Sequence, residues 1–134
     1  MTDAPSTDRL LIAEEYACLP DDDGYRDELS RGRLVREPQP QARPGRVQLS
    51  TGAELRRFVK QHGLGYVTVE SGYILERGPD TVRGPDVAFV SRDRYSEDLP
   101  RGWPEFGPDL VVEILSPSDR LSRMAVKVAQ DLGD

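Results

Sequence analysis

The chain has 134 residues, a net charge of −6, 31% charged and 37% hydrophobic residues. That composition suits one soluble domain with a single modest core. It excludes a membrane protein, because the longest early apolar run, Leu10-Leu11-Ile12-Ala13, is too short for a span or a signal-peptide core, and a cytoplasmic setting is expected.

The single cysteine, Cys18, excludes an internal disulfide and a cysteine-based zinc site, and it is expected as a small buried apolar residue. A lone histidine, His62, is a poor basis for a multi-histidine metal site or a Ser-His-Asp triad. It is expected at a helix C-terminus, where a cation is favourable. The acidic balance argues against a dedicated high-affinity DNA-binding protein, since non-specific affinity comes from Lys and Arg on phosphates. A local basic patch is still compatible with DNA.

Residues 1–7 are polar and expected to be disordered. Over residues 8–19, Leu11, Ile12, Tyr16 and Leu19 recur at helical spacing and predict a short amphipathic helix, ended by Pro20 and the acidic turn Asp21-Asp22-Asp23-Gly24. That turn lacks the alternating ligands of a calcium hand and reads as solvated. Residues 25–29 and 33–37 predict a hairpin around Ser30-Arg31-Gly32, and residues 38–45, with three prolines and a glycine, predict a loop. Thr51-Gly52-Ala53-Glu54 matches a capping box. The helix it opens carries Leu55, Phe58 and Val59 on one face and stops at Gly63; an earlier start would bring in Val47 and Leu49.

Residues 66–75 predict one strand, residues 76–85 a turn region, and residues 86–90 a short apolar strand. Residues 91–108 form a long polar loop in which Trp103 and Tyr95 either pack or touch a base. Residues 110–115 predict a central strand. Ser116-Pro117-Ser118-Asp119 stops it and opens a helix over residues 120–132.

Two acids stand on otherwise apolar strands. Asp86 shares a face with Ala88 and Val90, and Glu113 with Val111 and Leu115. A buried unpaired carboxylate costs several kcal/mol, roughly, unless it is protonated, paired or bound to a cation. Two such acids on neighbouring strands make a hard-oxygen site suited to magnesium. The alternative is structural: Glu113 pairs with a nearby arginine and Asp86 caps the turn after Pro85. On the last helix, Arg120, Arg123 and Lys127 form a basic edge beside the stripe of Leu121, Met124, Ala125, Val128 and Leu132. That edge either faces the carboxylates or is solvated.

The segments Arg83-Gly84-Pro85-Asp86-Val87-Ala88-Phe89-Val90 and Pro108 to Asp119, with Leu110-Val111-Val112-Glu113-Ile114-Leu115 at the centre of the second, resemble the two signature segments of the Uma-type (Uma-two) restriction endonucleases. That family belongs to the PD-(D/E)xK superfamily. Residues 25–35, with Glu28, Leu29 and Gly32, resemble its N-terminal hairpin motif, and residues 67–75 its next strand. The resemblance implies an α+β fold: a restriction-endonuclease-like core in which a mixed β-sheet is flanked by helices.

It also implies Mg2+ or Mn2+ held by Asp86, Glu113 and the carbonyl of Ile114, and hydrolysis of DNA phosphodiesters. Position 115, where the superfamily lysine normally stands, is leucine, and Lys127 is the match on the following helix. Glu28 matches an acid of the N-terminal motif, Glu70 has a weaker claim, and Arg120 and Arg123 are candidate phosphate contacts. Family members continue past this helix into further strands. Residues 8–134 are therefore expected to form a single, incomplete domain lacking its C-terminal strands and either marginally stable or covered by a homodimer. The alternative function is a non-catalytic remnant or interaction module of the same fold.

Overall fold

The computed structural model describes residues 9–20, 25–95, 97–116 and 121–132, apart from the side chains of residues 25 and 121–123. Residues 1–7, the acidic turn at residues 21–24 and the helix opening at residues 117–120 lie outside them. The elements are α1 (Ala13–Ala17), β1 (Tyr25–Ser30), β2 (Arg33–Pro38), α2 (Ala42–His62), β3 (Gly65–Thr68), β4 (Tyr73–Glu76), β5 (Thr81–Arg83), β6 (Val87–Ser91), β7 (Leu110–Val112) and α3 (Leu121–Asp131). The fold is α+β, with strands in two sheets, ordered β2-β1-β5-β4 and β3-β6-β7. Every strand pair among the described residues is antiparallel, where a mixed sheet was expected.

The first helix is five residues long, shorter than its periodicity predicts. The Leu11 amide donates instead to Gly32 O across the hairpin turn at 2.8 Å, which holds the preceding residues extended. Asp80 accepts the Ala13 amide at 2.7 Å and satisfies a first-turn donor. The β1–β2 hairpin closes as predicted, with Ser30 opposite Arg33 and both turn residues, Arg31 and Gly32, at positive φ. Cys18 is exposed and not buried, because α1 ends before it and turns it outward.

The second helix begins at Ala42, nine residues before Thr51, so the predicted capping box lies inside it. Pro44 falls in the first turn, where a missing N–H costs no helical bond. Its buried face is Gln48, Gly52 and Val59, and Phe58 is exposed. The stop at Gly63 is as read, with φ 61°.

The single strand expected over residues 66–75 is two strands in different sheets. The break falls at Glu70, whose φ is 54°. A strand missed in the sequence, β5, pairs Val82 with both Leu29 and Ile74. The last strand, β7, stands at the edge of its sheet among the described residues, not at its centre, and stops one residue before Glu113. Leu11, Ala13, Leu29, Ile74 and Val82 form one core cluster, and Tyr73, Ala88 and Val90 the other. The polar loop packs on both: Trp103 meets Tyr16 with ring centres 5.6 Å apart, and Phe106 lies 6.4 Å from Tyr73. Among the described residues, no helix is long and apolar enough to cross a membrane.

Candidate active site

Asp86 sits where the chain passes from one sheet to the other, between β5 and β6. Glu28 on β1 braces that turn. Its two oxygens accept Arg83 Nη1 at 2.8 Å and the Gly84 amide at 2.8 Å. Arg83 and Glu28 are both buried, so this is a desolvated charge pair with its hydrogen bonds made. Gly84 is required by close approach: a Cβ there would stand 2.9 Å from Glu70 O. The Glu70 amide donates to Pro85 O at 3.0 Å. From α2, the buried Gln48 donates to Asp86 O at 3.0 Å and to Glu70 Oε2 at 2.9 Å. The carboxylate of Asp86 accepts the Ile114 amide on Oδ2 at 2.7 Å and faces the Arg26 guanidinium on Oδ1 at 3.4 Å.

The Ile114 bond to Asp86 places the second acid, Glu113, beside the first, just past the paired part of β6 and β7. Val87, next to Asp86, pairs with Val112, next to Glu113. The side chain of Glu113 is only 3% exposed. Two residues of α3, one turn apart, close over it. Lys127 Nζ lies 3.6 Å from Glu113 Oε2 and 3.0 Å from Glu37 Oε1. Asp131 is fully buried, and neither of its oxygens meets a donor among the described residues.

Burial pushes the Glu113 carboxyl well above the carboxylate range, the adjoining Asp131 carboxyl pushes it further, and Lys127 opposes. Asp131 is raised as well, again chiefly by burial. Two buried carboxyls side by side disfavour each other's ionisation, so the pair favours keeping a proton. Burial alone would lower Lys127, but Glu113, Glu37 and Glu28 outweigh it and hold the ammonium charged. Where the shared proton sits on Glu113, Glu37 remains the anion beside Lys127, 3.0 Å from its Nζ.

A cleft of about 450 Å³ is lined by Arg26, Glu37, Gln48, Asp86, Ile114 and Lys127, among others, with Glu113 behind Lys127. Among the described residues, no group of three or more His, Cys, Asp or Glu forms a protein-only metal cage. The donor set is the carboxyls of Asp86 and Glu113, the second with its side chain only 3% exposed. That fits magnesium, which takes one or two carboxylates and keeps its waters.

The fold thus gathers Glu28, Glu70, Asp86, Glu113, Ile114 and Lys127. Arg120 and the side chain of Arg123 lie outside the described residues. Sequence reasoning missed Arg26, Glu37, Gln48 and Asp131. Arg26 and Glu37 are cross-strand partners in the predicted hairpin, and Asp131 stands one helical turn after Lys127, so both signals were present. Gln48 was hidden by the misplaced start of α2.

The core is antiparallel α+β, with Asp86, Glu113 and Lys127 gathered at the end of the β3-β6-β7 sheet. The fold matches a crystal structure described as a "putative nuclease belonging to DUF820 from Anabaena variabilis", with a TM-score of 0.74, 19% identity, and cover of 91% of this chain and 68% of that one. The sequence profile of the Uma2 family, described as "Putative restriction endonuclease", matches residues 13–130, and the chain belongs to that family. No curated protein matches it.

Proposed function

We propose that this chain is a metal-dependent endonuclease that hydrolyses phosphodiester bonds of DNA, with Asp86 and Glu113 as ligands of Mg2+ or Mn2+. The observation that carries the proposal is the buried Glu113 carboxyl 3.6 Å from the Lys127 ammonium, next in the chain to Ile114, whose amide donates to Asp86. A cation bound there would polarise a phosphoryl oxygen and supply a water of lowered pKa. Asp86 is held in place from four directions, by Gln48, Ile114, Arg26 and the turn braced by Glu28, so its carboxylate needs little reorganisation. Glu113 gives up its proton to become a ligand. Lys127 then orients the attacking water or stabilises the charge developing on the phosphate. Ile114 lines the cleft, and its carbonyl is proposed as a further ligand. Arg120 and Arg123 are proposed as phosphate contacts near the start of α3. The cytoplasmic setting, and a homodimer that pairs the β7 edge, belong to the same proposal.

A second reading, a non-catalytic module of this fold, is favoured by one observation. Asp86 and Glu28 already have their oxygens occupied by Ile114, Arg26, Arg83 and Gly84. Calorimetry with magnesium and manganese on the parent chain and on Asp86→Ala, with circular dichroism on both and cleavage assays on DNA, separates the two. Binding and cleavage lost together in a folded Asp86→Ala support the enzyme. Binding without cleavage supports the module, and no binding by a folded parent removes the metal site.

A further inference from the structure

Resting on the nuclease reading, we infer that one strand of the substrate's phosphodiester backbone runs from the metal site along the groove between α2 and β3, on Arg56 and Lys60. The charge distribution is the first ground. In a chain of net charge −6, α2 holds five of the 18 lysines and arginines but one of the 24 acids. Elsewhere on the surface Arg9, Arg77 and Arg94 each have a carboxylate partner. The side chains of Arg43, Arg46, Arg56 and Lys60 are exposed and have none among the described residues. The first turn of α2 carries no acid, and Arg43 and Arg46 stand near its positive end, where a cation is unfavourable. Acids abundant in the rest of the chain leave this face unneutralised, so its complement is an external polyanion.

Shape is the second ground. The groove beside α2 has a volume of about 1090 Å³ and is lined by the aliphatic side chains of Leu49, Val67 and Val69 together with Arg56, Arg57 and Lys60. Leu49 is 72% exposed, an uncovered apolar surface against which sugar and base faces can pack. Position is the third. Gln48 lines both this groove and the cleft of Asp86, and Glu70 lines the groove while bonded to Gln48. A polyanion lying along α2 therefore ends at the cleft of Asp86. An acidic polypeptide would match the charge, but the continuity with the metal site favours nucleic acid.

The test is fluorescence anisotropy of a fluorescein-labelled DNA oligonucleotide, in calcium to hold back hydrolysis, across a salt series, with magnesium-dependent cleavage measured in parallel. Arg56→Ala combined with Lys60→Ala is expected to weaken binding about tenfold. It should also reduce the slope of log affinity against log salt by roughly 2, one unit per phosphate contact. Circular dichroism and magnesium affinity should stay at the parent's values, and Arg101→Ala, a distant exposed cation, should leave both binding and slope unchanged. Asp86-dependent cleavage with binding indifferent to the double substitution overturns the track and leaves the nuclease reading standing. A folded parent that neither binds nor cleaves DNA removes both. Poly-glutamate captured in an Arg56- and Lys60-dependent manner, with no DNA binding, assigns the groove to an acidic polypeptide and overturns the proposal.

Discussion

Replacing Glu113 by glutamine is expected to stabilise the metal-free protein at neutral pH while ending its affinity for divalent cations. In the native state burial and the Asp131 carboxyl keep Glu113 protonated. An unfolded glutamate releases its proton near pH 4.5. At about pH 7 folding must take that proton back, which costs about 3 kcal/mol at about 1.36 kcal/mol per unit. The native state then binds the proton that the unfolded state has lost. Stability contributed by this group is full below the unfolded value and falls as pH rises towards the raised native one. Solvent screening is slight, because the side chain is 3% exposed.

Glutamine brings its own donor to Asp131 and needs no proton, so Glu113→Gln should gain about 3 kcal/mol at about pH 7 and under about 1 kcal/mol at about pH 5. In a domain of this size that is a rise in Tm of about 10 °C. Urea unfolding in EDTA at the two pH values measures it, with metal calorimetry alongside. A variant less stable than the parent at neutral pH would refute the reasoning, and would mean that Glu113 is ionised and held by Lys127.

Metal binding by the parent should release close to one proton at about pH 7, read by calorimetry in buffers of different ionisation enthalpy; no release would mean that the carboxyl pair holds none. Lys127→Ala should slow DNA cleavage about a hundredfold while leaving metal affinity nearly unchanged, and equal losses would remove Lys127 from the chemistry. Arg83→Met strands the buried Glu28 carboxylate and should cost about 3–5 kcal/mol in chemical denaturation, partly restored by adding Glu28→Gln; a cost under about 1 kcal/mol would contradict the brace. Gly84→Ala drives a methyl to 2.9 Å from Glu70 O. It should destabilise the fold by about 1–3 kcal/mol and weaken metal binding, and parent-like values for both would refute the tight turn.

The sequence by itself determined the elements whose causes are local. The β1–β2 hairpin follows from strand-forming residues around Arg31-Gly32, and the end of α2 from Gly63, where only a left-handed residue closes the helix well. Asp86 and Glu113 stood out as candidates because a carboxylate on an apolar strand is costly without a partner, while the match of Lys127 to the superfamily lysine entered only through the family resemblance.

Tertiary structure decided the rest. The strand β5 arises in a stretch of turn-forming and charged residues because Val82 is clamped between Leu29 and Ile74, and Arg83 is buried only because Glu28 meets it. The break at Glu70 depends on the Gly84 backbone pressing against it, and the start of α2 on a proline that only a first turn tolerates. Gln48, Glu37 and Asp131 join the site across separations of up to 90 residues. Periodicity reports one element's own face, whereas these side chains take their roles from what another element sets against them.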